Sequence, residues 1–332
     1  MQATVTAASA LRARLSFLWD TTEFDADYRR ALQATLAALL APAARAKERD
    51  DGASPLLLPF LCCDALSGES EGAVAVNAAW ALLYAAFYLL DKVEDQEPIP
   101  PPTPALATGT LLNVTTGLML GAELLLAGLE AEGGIGADAT RDVRTRFSRL
   151  ALVVCGGQHR DLTLTEPGLQ EAWQVAAAKS GSFFALGGYV GARAATGDEA
   201  LLAAYASFGR HLGIQIQIAN DIDGLWGDGD CPSDLARGQW SLPVAYAFHV
   251  LPSAKQVLLR TLLDAAVEED GRAEAEARRL ILDCGALIYL ALEAEKQKRQ
   301  AENVLRSAHG RPEATERLVA LLRGVAVLKQ EQ

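Results

Sequence analysis

Between Gln215 and Asp228 the chain reads Gln-Ile-Gln-Ile-Ala-Asn-Asp-Ile-Asp-Gly-Leu-Trp-Gly-Asp, an apolar helix that turns acidic over its last two turns. This stretch constrains the fold more than any other. Its body must be buried, yet its end carries carboxylates that need water or a cation. Asn220, Gly224 and Asp228 are spaced i, i+4, i+8, which places them on one helix face, with Asp221 beside them. Carbonyl and carboxylate oxygens in that array suit a hard cation such as Mg²⁺. The competing reading is a solvated acidic helix end. It fits poorly, because the acids follow Leu212-Gly-Ile-Gln-Ile-Gln-Ile, which is too apolar for an exposed face.

A second acidic patch lies upstream, in Tyr88-Leu-Leu-Asp-Lys-Val-Glu-Asp-Gln-Glu97. Asp91 and Asp95 are i, i+4 at the end of another apolar helix, Ala78 to Leu90. Two inward helix ends of this kind, facing each other, would form a divalent-metal clamp for a diphosphate. The rest of the chain then reads as the cup beneath the clamp.

The pattern around these patches is helical throughout. Amphipathic or apolar helices are expected over 8–20, 25–48, 56–66, 73–90, 106–131, 138–164, 168–195, 197–223, 241–250, 253–268, 271–308 and 312–330. Alanine and leucine dominate and aromatics are only 6% of the chain, which favours helices over strands. No strand-period segment and no repeat stands out. The 332 residues are therefore read as one all-α domain of about ten helices: 1–50 as N-terminal helices, 51–310 as the core and 311–332 as a C-terminal helix. Two loops interrupt the helices. Asp50–Pro55 is a turn, and Glu97-Pro-Ile-Pro-Pro-Pro-Thr-Pro104 lacks the amide donors a helix needs. The latter follows the first acidic patch directly and is either a lid or a connector.

A formal charge of −12 opposes binding to nucleic acid and to anionic membrane surfaces. Five scattered cysteines (Cys62, Cys63, Cys155, Cys231, Cys284) without Cys-x-x-Cys spacing read as reduced core residues of a cytoplasmic protein. The N-terminus has no signal-peptide pattern, and the longest apolar run, Ala78–Leu90, is too short to span a bilayer.

With both patches located, the chain resembles the trans-isoprenyl diphosphate synthase (polyprenyl synthetase) family and its class I terpene synthase relatives, from about Gly52 to Leu305. Five elements carry the resemblance, in order. Asp91-Lys-Val-Glu-Asp95 is similar to the first aspartate-rich motif, Asp-Asp-x-x-Asp. Gly157-Gln-His-Arg-Asp-Leu162 matches Gly-Gln-x-x-Asp-Leu, and Lys179-Ser-Gly181 matches a Lys-Thr-Gly that contacts an allylic diphosphate. Gln217-Ile-Ala-Asn-Asp221 matches the start of the second motif. Ser233-Asp-Leu-Ala-Arg-Gly-Gln-Trp-Ser-Leu-Pro243 matches the family's Ser-Asp-Leu-x-x-Gly-Lys-x-Thr-Leu-Pro. Any one alone is weak; five in order at family spacing are specific.

The resemblance implies an all-α, class I isoprenoid synthase-type bundle around a central cavity, often dimeric. It implies Mg²⁺ held by Asp91, Asp95, Asn220, Asp221 and Asp228, with Lys179 on the diphosphate of an allylic prenyl substrate. Gln158, Asp161 and Gln217 are implied substrate contacts. Tyr84, Phe87 and Tyr88, three to seven residues before Asp91, are candidates for the wall or floor of an apolar cup, where an aromatic face stabilises a carbocation; for any one of them taken alone, ordinary helix–helix packing is the favoured reading. His159, Arg160, His211 and Arg299 read as structural or solvated.

The departures from the family pattern bear on the reaction. Chain-elongating members carry Gly-Lys-Arg-x-Arg-Pro for isopentenyl diphosphate, and the corresponding stretch here is Gly52-Ala-Ser-Pro55. They carry an Arg pair after the first motif, where this chain has Glu97-Pro-Ile-Pro-Pro-Pro. Gln239 stands where they have Lys. Lys92 replaces an Asp of the first motif, and the second reads Asn-Asp-x-x-Gly-x-x-x-Asp, a hybrid with the Asn/Ser/Glu triad of terpene cyclases. Three functions are consistent with these residues. The leading expectation is a Mg²⁺-dependent terpene synthase ionising one allylic diphosphate (geranyl, farnesyl or geranylgeranyl). The alternatives are a prenyltransferase, chain-elongating or acting on another acceptor, and a non-catalytic regulatory subunit.

Overall fold

The computed structural model describes residues 2–45, 54–68, 71–95, 97, 99, 106–130, 135–227 and 232–325. The α-helices are α1 (Gln2–Thr21), α2 (Ala26–Arg45), α3 (Leu58–Ser67), α4 (Glu71–Glu94), α5 (Thr108–Gly128), α6 (Ala137–Thr163) and α7 (Leu169–Ala176). They continue as α8 (Ser182–Ala195), α9 (Glu199–Asp223), α10 (Leu242–Val250), α11 (Ser253–Val267), α12 (Gly271–Asp283), α13 (Ala286–Ser307) and α14 (Pro312–Gly324). No strand occurs among the described residues, so the fold is all-α, as the pattern predicts.

The chain groups into two compact units. One takes the described parts of Met1–Leu152, Phe184–Gly209 and Glu302–Gly324; the other takes those of Val153–Phe183, Arg210–Ala301 and Val325–Gln332. In the first unit α4 is the core helix, packed by α1, α3 and α5. Its residues Val76, Ala78, Ala79, Trp80, Ala81, Leu82, Ala85, Ala86 and Leu89 are fully buried. Burial on this scale, at about 25 cal/mol per Å² of apolar surface, is what holds the helix. The Asn77 side chain, buried among them, accepts from the Phe60 N–H (3.2 Å) and donates to the Leu56 carbonyl (3.3 Å). It thereby ties the 3₁₀ turn Pro55–Leu57 and the start of α3 to α4. Buried Asp64 pairs with Arg311 (3.1 Å) and Arg317, which docks α14 on α3.

Helix α8 lies close to its neighbours because it presents glycines. A Cβ at Gly187 would stand 2.9 Å from Trp80 Cε2, one at Gly188 would overlap the Tyr205 carbonyl of α9, and one at Gly191 would overlap Pro59.

The second unit is built on α10. Its Val244 and Ala247 enter a cluster with Leu259, Leu263, Ala277 and Ile281 of α11 and α12. Leu242 and Ala245 enter another, with Ala172, Ala176, Ile214, Ile218, Ile222 and Leu290. The turn after α9 is fastened to α12: Ser233 Oγ donates to Glu274 Oε1 (2.7 Å) and Arg278 Nε to the Leu225 carbonyl (2.7 Å).

Several expectations change. The helix expected over 168–195 is interrupted by a π turn, Ala177–Gly181, whose widened register adds a residue without any helix breaker to announce it. The helix expected over 271–308 splits at Gly285, whose φ of 86° terminates α12 in the left-handed region. An isolated glycine inside a helical pattern gives little warning of this. Two helices also exceed the Ala78–Leu90 run. Gly72–Glu94 and Thr108–Gly128 are each long and apolar enough to cross a membrane, so the expectation of no such segment fails on length. The α4 window is 67% buried within the protein, the burial of a core helix; the α5 window is 44% buried and leaves Leu112, Leu120 and Leu124 exposed. Cys62 and Cys63 are buried, but Cys155 is exposed and Cys284 half-buried. Gly52, Ala53, most of the proline segment after Glu97, Asp228 and Cys231 lie outside the described residues.

The glycine packing predicts opposite signs at two positions. Gly188→Ala pushes a methyl into the Tyr205 backbone, which cannot move aside, and should destabilise by about 1–3 kcal/mol despite alanine's better helix propensity. Gly156→Ala in α6 meets open space and should stabilise by about 0.5–1 kcal/mol. Denaturant melts of the two variants measure the difference; a neutral Gly188→Ala would contradict the close α8–α9 approach.

Candidate functional site

Both acidic patches stand at the carboxyl ends of long apolar helices, the negative end of the helix dipole. Carboxylates there are repelled, by roughly 0.3–1 kcal/mol each at exposed positions. Helix α9 has no basic residue in its last turn and α4 has only Lys92. Helix stability thus does not explain these acids; a cation would.

In the first unit the last turns of α4 present two neighbouring rows. One row is Phe87, Asp91 and Asp95, spaced by four. Asp95 closes the final turn, its N–H donating to the Asp91 carbonyl (2.9 Å), and all three residues are half-buried. The other row is Trp80, Tyr84, Tyr88 and Lys92. Trp80 and Tyr84 are tilted with centroids 6.1 Å apart, Tyr84 and Tyr88 are stacked at 6.5 Å, and the Lys92 ammonium lies 5.6 Å from the Tyr88 ring centroid. Phe184 meets Trp80 edge-on at 5.6 Å. Burial, then the charges of Tyr88 and Asp91, push the Tyr84 phenol up to about 12. This row is therefore neutral π surface at physiological pH, with an ammonium at its end. Lys92 also pairs with Glu97, whose N–H donates to the Lys92 carbonyl (2.8 Å).

In the second unit the sequence-predicted residues form a hydrogen-bonded chain. Lys179, in the π turn, donates to Asp161 Oδ2 (2.6 Å), and both side chains are largely buried. The next residue, Ser180, donates to Gln217 Oε1 (2.5 Å). Gln217 Nε2 donates to Asp221 Oδ1 (2.6 Å), and Asp221 Oδ2 accepts the Leu242 N–H (2.9 Å) at the start of α10. The π turn can approach α6 because Gly157 is there: a Cβ on it would stand 2.9 Å from Ala178 Cβ and 3.0 Å from the Lys179 nitrogen. Gln158, the next residue, has its amide buried with no partner among the described residues, a group that needs a ligand or a water. Asp161 therefore partners Lys179 and not Gln158.

Asp221 is the one buried carboxylate among the described residues of this patch. Burial above all, with the charges of Asp234 and Asp161, raises its pKa to about 7 against two opposing hydrogen bonds. The two-turn acidic face is only partly realised. Helix α9 ends at Asp223, and the turn Gly224–Trp226 follows. Asn220 and Asp223 are exposed, while Asp228 lies outside the described residues. Sequence reasoning missed two members. Ser180 links the Lys179 segment to Gln217, and its place in Lys-Ser-Gly is the signal. Asp234 reaches the space left by Gly224: a Cβ there would overlap the Asp234 carboxylate, whose N–H donates to the Gly224 carbonyl (2.8 Å). Arg237 holds Asp234 at 2.5 Å. A glycine at the third position of an acidic motif is the signal that a carboxylate arrives from elsewhere.

Three further residues make contacts of their own. Arg160 donates to Gln174 Oε1 (3.2 Å), His211 Nδ1 meets Gln297 Oε1 (2.6 Å), and Arg299 pairs with Glu295 on an exposed face. Among the described residues no three of Asp, Glu, His and Cys form a ready-made metal group. The oxygen donors at each patch fit Mg²⁺ as it is usually held beside phosphates, by one or two carboxylates completed by substrate oxygens and water.

Over 204 residues the chain is 29% identical to a geranylgeranyl diphosphate synthase of Mycobacterium tuberculosis, covering 58% of this chain and 57% of that one. Over 179 residues it is 26% identical to a geranylgeranyl diphosphate synthase of Sulfolobus acidocaldarius, covering 52% and 54%. The chain thus spans little more than half the length of these relatives. The fold matches the geranylgeranyl pyrophosphate synthetase of Pyrococcus horikoshii with a TM-score of 0.78 at 20% identity, over 98% of this chain and 99% of that one. It matches the geranylgeranyl pyrophosphate synthase of Corynebacterium glutamicum, complexed with isoprenyl diphosphate and magnesium, with a TM-score of 0.71 at 19% identity, over 95% and 97%. The family model for polyprenyl synthetase matches residues 56–280, a span that holds every described element of the two patches, and the chain belongs to that family.

Proposed function

We propose that the protein is a prenyltransferase acting on an allylic prenyl diphosphate. The observation that carries the reading is the chain Lys179–Asp161 and Ser180–Gln217–Asp221, which sets an ammonium, an amide and a carboxylate together at the end of a buried helix. The relatives, which are synthases of prenyl diphosphates, favour transfer over release of a terpene and so reverse the order of the two leading sequence expectations.

In this reading Asp161 orients Lys179, whose ammonium contacts the diphosphate. Asp91 and Asp95 of α4, and Asn220, Asp221 and Asp228 at the end of α9, are the residues that would hold Mg²⁺. When bound, Mg²⁺ supplies Lewis-acid neutralisation of the departing diphosphate. Magnesium with isoprenyl diphosphate in the C. glutamicum relative supports this choice of ion. Ser180 fixes the Gln217 amide, so its oxygen and nitrogen keep their roles and Asp221 keeps its orientation. The Tyr84–Tyr88 row offers π faces to an allylic cation. Gln158 offers its unpartnered amide to the substrate. A homodimer is part of the proposal, supported by the exposed Leu112, Leu120 and Leu124 of α5.

One observation favours a second reading, the terpene synthase. No Lys or Arg stands in Gly52–Pro55 or Glu97–Pro104, and Gln239 replaces the family lysine, so local positive charge for a second diphosphate is lacking. Incubation with geranyl, farnesyl and geranylgeranyl diphosphates, with Mg²⁺ and with or without isopentenyl diphosphate, separates the readings by product mass. Elongated prenyl diphosphates are the expected result; a terpene formed from the allylic substrate alone would install the second reading. Asp95→Ala should reduce turnover at least ~100-fold while leaving the circular dichroism spectrum unchanged, the loss typical of removing one electrostatic contact to the transition state. Activity retained by Asp95→Ala would remove the first patch from the mechanism.

Asp221 gives a pH dependence. Its folded pKa of about 7 lies above the ordinary carboxyl value of 3.8, so the metal-free native state holds a proton that the unfolded state has lost. Its contribution to stability is complete below pH 3.8 and disappears as pH rises through about 7. A metal requires the ionised form, so Mg²⁺ affinity should rise from pH 6 to 8. Carboxyl ¹³C NMR of the protein with and without Mg²⁺ checks this: the Asp221 midpoint should lie near neutrality without metal and fall when Mg²⁺ is added. A midpoint near 4 in the metal-free protein would contradict the buried setting.

A further inference from the structure

We propose that Lys92 is a diphosphate-binding residue whose ammonium rests on Glu97 and the Tyr88 ring in the free protein and exchanges Glu97 for a phosphate oxygen when substrate arrives. The inference rests on the reading of the site as one for an allylic diphosphate.

Lys92 is the only Lys, Arg or His between Arg49 and Arg141. A lone base in some ninety residues would ordinarily be sought on a solvated face. Here it stands inside the acidic motif, between Asp91 and Asp95, where the family pattern places a carboxylate. Its side chain is 20% exposed and that of its partner Glu97 10%. Removing both charges from water is costly, and a semi-buried pair of this kind adds little net stability. The Glu97 carboxylate and the Tyr88 ring are the partners of Lys92 in the free protein.

The geometry suits exchange. The Tyr88 ring, itself stacked on Tyr84, holds the ammonium from one side, 5.6 Å from its centroid, so the cation keeps its position when Glu97 leaves. Glu97 sits just after α4, and its N–H donates to the Lys92 carbonyl. A diphosphate brings several negative charges and acceptor oxygens, and outcompetes a single carboxylate for the ammonium. Replacing the motif's carboxylate with an ammonium changes the local charge by two units, which lessens the metal charge that the anion requires. The patch that lacks the family's neighbouring arginines thereby gains a cation of its own.

Calorimetric titration of the full chain with inorganic pyrophosphate, with and without Mg²⁺, tests the exchange. With Mg²⁺, Lys92→Gln should weaken pyrophosphate binding about tenfold or more, and Lys92→Arg should restore most of it. Glu97→Gln breaks the same ion pair but leaves the cation, so it should bind pyrophosphate as tightly as the wild type or a few-fold tighter. Lys92→Asp, which rebuilds the family carboxylate, should make binding more dependent on Mg²⁺ concentration. Equal binding by Lys92→Gln and wild type would overturn the proposal, as would weakening by Glu97→Gln to the level of Lys92→Gln, the mark of a purely structural clip. Should Lys92→Gln fail to fold, the Glu97→Gln and Lys92→Arg arms still decide. A wild-type chain that binds no pyrophosphate with Mg²⁺ overturns the diphosphate reading itself, an outcome distinct from failure of Lys92 alone.

Discussion

A carboxylate buried at the negative end of a helix is unfavourable by itself, and the surroundings of Asp221 are arranged to tolerate it. Asp221 receives one N–H from the Gln217 side chain and one from the Leu242 backbone. The second bond also satisfies one of the orphan amides at the start of α10, the helix on which both apolar clusters of the unit converge. A group that costs stability therefore helps place the core. Its environment remains incompletely compensated, since burial and the neighbouring Asp161 and Asp234 still hold its proton to about pH 7. A buried carboxylate whose proton is held this way is a candidate for a functional group.

The same logic organises the π turn. A regular helix over 168–195 would present Lys179 and Ser180 in a different register. The extra residue of Ala177–Gly181 widens the turn, and Lys179 and Ser180 then find Asp161 and Gln217. Gly157 removes the side chain that would keep the turn away from α6. Single π turns inside α-helices occur often at functional positions, and here the reason is visible: two adjacent residues must each meet a separate partner.

The first patch shows how a family motif can change its chemistry without changing its scaffold. Asp91 and Asp95 keep the i, i+4 pair. Lys92 adds a cation on the adjacent row, at the end of a ladder of aromatic rings. In a chain of formal charge −12, with no other Lys, Arg or His between Arg49 and Arg141 in sequence, that single substitution alters the charge of the patch by two units.

Periodicity and residue spacing made the all-α class and the two acidic helix ends legible in the chain itself, because each rests on residues close in sequence, while the Lys179 and Gln217 segments were legible only through their resemblance to family motifs. The breaks at Ala177–Gly181 and Gly285 were not legible, since an apolar pattern runs through both. Nor were the pairing of Lys179 with Asp161, the bond from Asp221 to Leu242, or the entry of Asp234 into the space at Gly224. Those join residues 10 to 21 positions apart. The sequence could name the groups, but only packing fixes which donor meets which acceptor, because a buried polar group must take the partner that the fold brings within hydrogen-bonding distance.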